Sequence, residues 1–203
     1  MVNLGGAVPI LPVEYQQVEY LQSSGSQYIK LNYTTNGQSI INFNVDFELL
    51  SVGSVFGAYS VSGNCGTLHN NNSSINFYYK SLTVNTLGAL NNRYRYIIGI
   101  NSNNILIKKY DYLSGTTSNY NGTATGTCPA LKPFMFGQSK NGNIANCSSL
   151  KLYHFYIDFG EDPVCELYPC YRKSDNKPGL FDIVTNTFFT NAGTGEFTFG
   201  PNV

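Results

Sequence analysis

Tryptophan is absent from this 203-residue sequence, and charged residues make up only 12% of it. Without tryptophan, an aromatic platform must come from the 16 tyrosines and 13 phenylalanines or from histidine. Twelve basic and 12 acidic residues give a formal net charge of +0. That balance excludes nucleic acid as a partner, because polyanion binding draws its affinity from neutralised phosphates. No run approaches the ~18 apolar residues of a membrane-spanning helix, so no membrane association is expected. No CxxC pair occurs among the five cysteines (Cys65, Cys128, Cys147, Cys165, Cys170), which argues against a zinc site or a full disulfide framework. Cys165 and Cys170 sit five apart in an extended run and should point to opposite faces, so they should not bond to each other. The five are expected to stay reduced and to pack as small hydrophobes. No ten-residue window carries a 3.6-residue period. Helix content should therefore be very low, with at most a short turn near Thr86–Leu90.

What is abundant is Asn, Ser, Thr, Gly and Tyr, the residues of strand surfaces and turns. Period-2 alternation dominates. Ile41, Phe43, Val45, Phe47 and Leu49 are apolar, and Asn42, Asn44, Asp46 and Glu48 between them are polar, which is a strand with one buried and one wet face. Tyr94, Tyr96, Ile98 and Ile100 repeat the pattern opposite Arg93 and Arg95. Tyr153, Phe155, Ile157 and Phe159 should share a third such face, turned away from His154 and Asp158. Turn signals such as Thr35-Asn-Gly37, Asn141-Gly142 and Pro178-Gly179 separate these runs. Ten or more strands so spaced predict an all-β sandwich or closed barrel. The stretch Ser114–Ala130 reads as a long surface loop, and Lys108 and Lys109 as a solvated pair. Residues 1–13, apolar with Gly-Gly and two prolines, read as an N-terminal arm that either attaches to another protein or packs along the domain's own edge. Residues 14–203 read as one domain.

The two ends carry recognisable strings. Val18-Glu-Tyr-Leu-Gln-Ser-Ser-Gly-Ser-Gln-Tyr-Ile29 resembles the opening "EYIQSSGTQYID" of a family of gut-phage and gut-bacterial surface proteins. Pro169-Cys-Tyr-Arg-Lys-Ser-Asp175, Pro178-Gly-Leu-Phe-Asp182 and Thr187-Phe-Phe-Thr-Asn-Ala-Gly-Thr-Gly-Glu-Phe197 resemble its ending. The resemblance implies a concanavalin A-like (laminin-G-like) jelly roll, a two-sheet antiparallel sandwich. It further implies a phage virion surface protein, a fibre or decoration module of head or tail, made in the host cytoplasm without a signal peptide. Its partners would then be other virion proteins held through the arm, glycans, and further copies of itself as a homo-oligomer. Many laminin-G-like domains carry calcium, but Asp111, Asp158 and Asp175 are too isolated in sequence to name a site, and no cofactor is expected. Pairing of the opening segment with the Gly-rich ending would close one sheet edge. Asp182 and Asn186 fall where Asx-turns are expected, and Gly193 and Gly195 where positive φ is needed.

Enzymatic chemistry finds little support. A retaining glycosidase needs two carboxyls roughly 5.5 Å apart, and Asp46 and Glu48 read instead as the wet side of a strand, with no third acid in register. His69 and His154 show no triad pattern. Glycan recognition needs amides, hydroxyls and aromatic faces. The richest concentrations are His69 with Asn71, and Tyr110, Tyr112, Asn119 and Tyr120. These six are the candidate ligand-binding residues. The alternatives are a structural role cementing capsid or tail subunits and, less favoured, a glycoside hydrolase built on Asp46 and Glu48.

Overall fold

A computed structural model describes residues 11–71 and 74–203, so most of the predicted arm, residues 1–10, lies outside the described residues. Nineteen strands and no helix occur among the described residues. In chain order they are β1 (Tyr15–Gln17), β2 (Leu21–Ser24), β3 (Ile29–Lys30), β4 (Ile40–Leu49), β5 (Gly53–Ser60), β6 (Gly63–Asn70), β7 (Ser74–Lys80), β8 (Leu82–Leu87), β9 (Arg93–Asn101), β10 (Asn104–Asp111), β11 (Thr116–Thr123), β12 (Phe134–Met135), β13 (Gln138–Lys140), β14 (Asn143–Ala145), β15 (Ser149–Phe159), β16 (Asp162–Arg172), β17 (Lys177–Asp182), β18 (Thr187–Phe189) and β19 (Thr198–Phe199).

The larger sheet runs β11-β10-β9-β4-β15-β16-β17-β18, with β1 beside β16, β2 beside β15 and β19 beside β2. The smaller runs β14-β13-β5-β6-β7-β8, with β12 joining β3 to β5. Every ladder is antiparallel except that between β13 and β5. The inward side chains of the two sheets meet in one aromatic core. Phe43 of the larger sheet lies 5.3 Å from Phe56 of the smaller, and Phe56 meets Phe155 edge-on at 5.2 Å. All three are 0–1% exposed, and tilted or edge-to-face contact is the favoured geometry for such rings. The expected all-β, two-sheet antiparallel jelly roll is the observed fold.

The ends join as expected. Thr198 and Phe199 pair with Gln22 and Leu21, and Val18 bridges Asn202. Asp182 makes the predicted Asx-turn, accepting from the Val184 amide at 3.1 Å and from Thr185 Oγ1 at 2.6 Å. Gly195 has φ +70°. Gly193 does not need positive φ; it is required by close approach, because a Cβ there would lie 2.2 Å from the Ser26 carbonyl oxygen.

Several local expectations are corrected. Thr86 and Leu87 end a strand rather than starting a helical turn. The supposed loop Ser114–Ala130 contains the edge strand β11, paired residue for residue with β10. Lys109 is buried, and its ammonium donates to the Leu87 carbonyl. A bulge between Leu152 and His154 inserts Tyr153 as an extra residue. Leu152 and Phe155 both stay in the core, so Tyr153 joins His154 on the outward face instead of alternating with it.

Candidate functional site

Two outward faces carry polar chemistry, and they are built differently. On the larger sheet, Asp46 of β4 points away from the core yet is 0% exposed. It accepts four hydrogen bonds: from Arg93 Nε at 2.8 Å and Arg93 Nη2 at 3.0 Å, from Arg95 Nη2 at 3.0 Å, and from the Tyr112 hydroxyl at 2.7 Å. The strand ladder explains the convergence, since Asp46 is directly opposite Arg95 and Glu48 opposite Arg93. The Arg93 guanidinium lies 3.7 Å from the Tyr153 ring centroid and 4.5 Å from that of Tyr112. Burial, then the bond to Asp46, pushes the Tyr112 phenol up to about 12. Glu48 accepts from Lys151 Nζ at 3.0 Å and from the Tyr153 hydroxyl at 3.2 Å.

Beyond this cluster, His154 lies 3.2 Å from Glu166, which also accepts from the Tyr168 hydroxyl at 2.5 Å. The His154 contact, opposed by desolvation, holds the Glu166 carboxyl below its ordinary range. Asp46 and Glu48 are thus engaged with neighbouring cations and phenols.

On the smaller sheet one outward cavity is lined by neutral side chains. Leu68, Phe77 and Val84 face the core, which turns Thr67, His69, Asn76 and Tyr78 outward. A surface cavity of about 250 Å³ is lined by Tyr59, Asn64, Thr67, His69, Tyr78, Gln138 and Asn146, none of them a carboxylate. The polar groups orient one another. His69 Nδ1 is 2.9 Å from Ser54 Oγ, and Asn76 Nδ2 donates to the Tyr78 hydroxyl at 3.2 Å. The His69 and Tyr78 rings are 6.4 Å apart. Burial lowers the His69 pKa, so the imidazole is neutral at pH 7 and offers one donor and one acceptor. Amides, hydroxyls and tyrosine faces around an open cavity can bind a neutral polar molecule.

The six residues singled out from sequence do not form one site. His69 lines this cavity, and Asn71 follows directly after β6, where its Oδ1 accepts from Ser74 Oγ at 2.9 Å. Tyr110, Asn119 and Tyr120 lie on β10 and β11 of the other sheet, and Tyr112 follows β10. Asn119 is exposed, but Tyr120 points inward and packs against the core. Tyr110 and Tyr112 meet edge-on at 4.9 Å, and Tyr112 is committed to Asp46. Tyr59, Asn64, Tyr78, Gln138 and Asn146 were missed. They come from β5, β6, β7, β13 and the residue after β14 and share a face only through register, and the sole local signal was tyrosine at the outward position of an alternating strand. Among the described residues no group of three or more His, Cys, Asp or Glu side chains is placed to hold a metal ion.

The architecture is a two-sheet antiparallel jelly roll. No family model matches the chain, and no curated protein matches it. Among solved structures it is similar to the mouse laminin alpha1 chain, domains LG4-5, with a TM-score of 0.52 and 11% sequence identity over 79% of this chain. The match covers 47% of that chain, so this protein spans about half its length. At that identity the likeness is one of fold.

Proposed function

We propose that the protein is a carbohydrate-binding surface module that reads neutral glycans on the outward face of its smaller sheet. The observation that carries the reading is the neutral cavity around His69, Tyr59 and Tyr78, where pre-oriented amides and hydroxyls lie beside tyrosine rings without a carboxylate. Sugars present hydroxyls for such amides and apolar C–H faces for such rings, and pockets of this kind fix ligands by a few placed polar groups. The terminal motifs extend the proposal to the surface of a phage particle, as a fibre or decoration module adhering to host or mucosal glycans. Binding to a glycan array, lost in Tyr78→Ala and His69→Ala but kept in Tyr112→Phe, tests the site. Co-sedimentation with purified particles tests the placement.

A second reading, contact with another protein, draws on exposed apolar side chains across neighbouring strands of the larger sheet. Ile40, Ile97 and Leu106 are 43%, 44% and 60% exposed on β4, β9 and β10. Sedimentation of wild type against Leu106→Lys separates this cementing role: a glycan-inert protein that self-associates through that face would favour it.

A further inference from the structure

The crossover from the larger sheet to the smaller brings two cysteines together. Cys65 on β6 is 2% exposed, and its Sγ lies 2.8 Å from the Pro129 carbonyl oxygen. Cys128, between β11 and β12, has its Sγ 3.7 Å from the same oxygen. Thr35 Oγ1 is 3.2 Å from Cys128 Sγ and donates to the Cys65 carbonyl at 3.3 Å. Both sulfurs thus converge on one carbonyl oxygen, 2.8 and 3.7 Å away, with Thr35 bridging the two residues.

The pair is asymmetric. Cys128 is half-buried and lines an open cleft of about 480 Å³ with Asn36, Tyr79, Lys80 and Thr127, whereas Cys65 is sealed behind it. The Cys65 hydrogen bond, opposed by burial and helped by Thr35 and Lys80, brings the Cys128 thiol down to about 7. The same contact and burial push the Cys65 thiol up. Attack on a disulfide requires an accessible thiolate; Cys128 faces the cleft, and the direction of its shift favours the thiolate. Burial instead raises Cys147, Cys165 and Cys170.

We propose that Cys65 and Cys128 are a redox-active thiol pair that closes an intramolecular disulfide on meeting a low-molecular-weight disulfide, with Cys128 attacking and Cys65 resolving. The Cys128 thiolate attacks one sulfur of oxidised glutathione, forming a mixed disulfide and expelling one glutathione thiolate. The Cys65 sulfur then attacks the Cys128 sulfur, its proton passing to the departing second glutathione thiolate. Two protein thiols are oxidised, one glutathione disulfide is reduced to two thiols, and no other reactant is needed. The new bond ties the crossover segment to β6 two residues before Thr67, and so braces the outward face of the smaller sheet. The inference does not depend on what that face binds.

The test is peptide mapping by mass spectrometry of the native protein held in oxidised glutathione. A 65–128 linkage is expected, with the intact protein lighter by two hydrogens. Cys65→Ser should arrest the reaction as a stable glutathione adduct on Cys128, and Cys128→Ser should leave Cys65 unmodified. Oxidation should raise the thermal midpoint by roughly 10 °C, since a cross-link over a long loop restrains the unfolded chain. If the wild-type protein instead keeps glutathione on Cys128 with Cys65 free, or reacts first at Cys147, the proposal fails. It also fails if the linked form melts lower than the reduced one. Should either variant not fold, the wild-type map alone decides.

Discussion

The outward faces of the two sheets solve the same problem in opposite ways. On the larger sheet a charged cluster is engaged largely with itself: Asp46 takes both oxygens' worth of bonds from Arg93, Arg95 and Tyr112, and Glu48 takes Lys151 and Tyr153. Around the cavity of the smaller sheet the side chains are neutral, linked in short pairs such as Ser54–His69 and Asn76–Tyr78, and arranged around open space. The first pattern stabilises strand order; the second leaves donors and acceptors for a visitor. Polarity alone does not mark a binding surface. Unspent polarity does.

Four measurements would break or sharpen that contrast. Asp46→Ala strands two guanidinium groups, each about one-third exposed, around an empty site. It should cost about 3 kcal/mol in urea unfolding while leaving glycan binding intact; a cost below about 1 kcal/mol would show that the cluster is not structural. Tyr112→Phe removes a single bond to the same carboxylate and should cost about 1.5 kcal/mol, again without effect on ligand. Tyr78→Ala and His69→Ala should do the reverse. Titration calorimetry with a ligand found on the array should show at least a tenfold weakening, about 1.4 kcal/mol, with unfolding midpoints nearly unchanged. The smallest effect concerns pH. Because burial lowers the folded His69 pKa below its ordinary 6.5, folded and unfolded states are alike above that value. As pH falls through it, only the unfolded chain gains the proton, so stability declines. The loss between pH 7.5 and 5.5 should shrink in His69→Gln; an equal loss in both would place its origin elsewhere.

Much of this architecture was legible because burial imposes a period of two. Ile41 to Leu49 and Tyr94 to Ile100 alternate cleanly, and both became central strands of the larger sheet. Among the strands of six or more residues, those that escaped reading were β6, β8 and β11. Gly63–Asn70 and Thr116–Thr123 contribute few apolar side chains, and their pairing is fixed by neighbours rather than by their own composition. Tyr153 misled for another reason: one inserted residue reverses the parity of everything before it, and a bulge leaves no mark in local composition. The polar clusters were the least visible. Asp46 and Arg95 are 49 positions apart and Asp46 and Tyr112 are 66 apart, so only the ladder makes them neighbours. His69 was found because an unusual residue stood in an Asn-rich run; Gln138 and Asn146 offered nothing of the kind.

The seam between β2 and β19 sets how the molecule answers to tension. Val18 faces Asn202, and Leu21 and Gln22 face Phe199 and Thr198, running antiparallel. A pull applied at residues 18 and 202 therefore loads these contacts singly, in succession, like a zip fastener. Strands loaded lengthwise in shear would share the strain among many bonds at once.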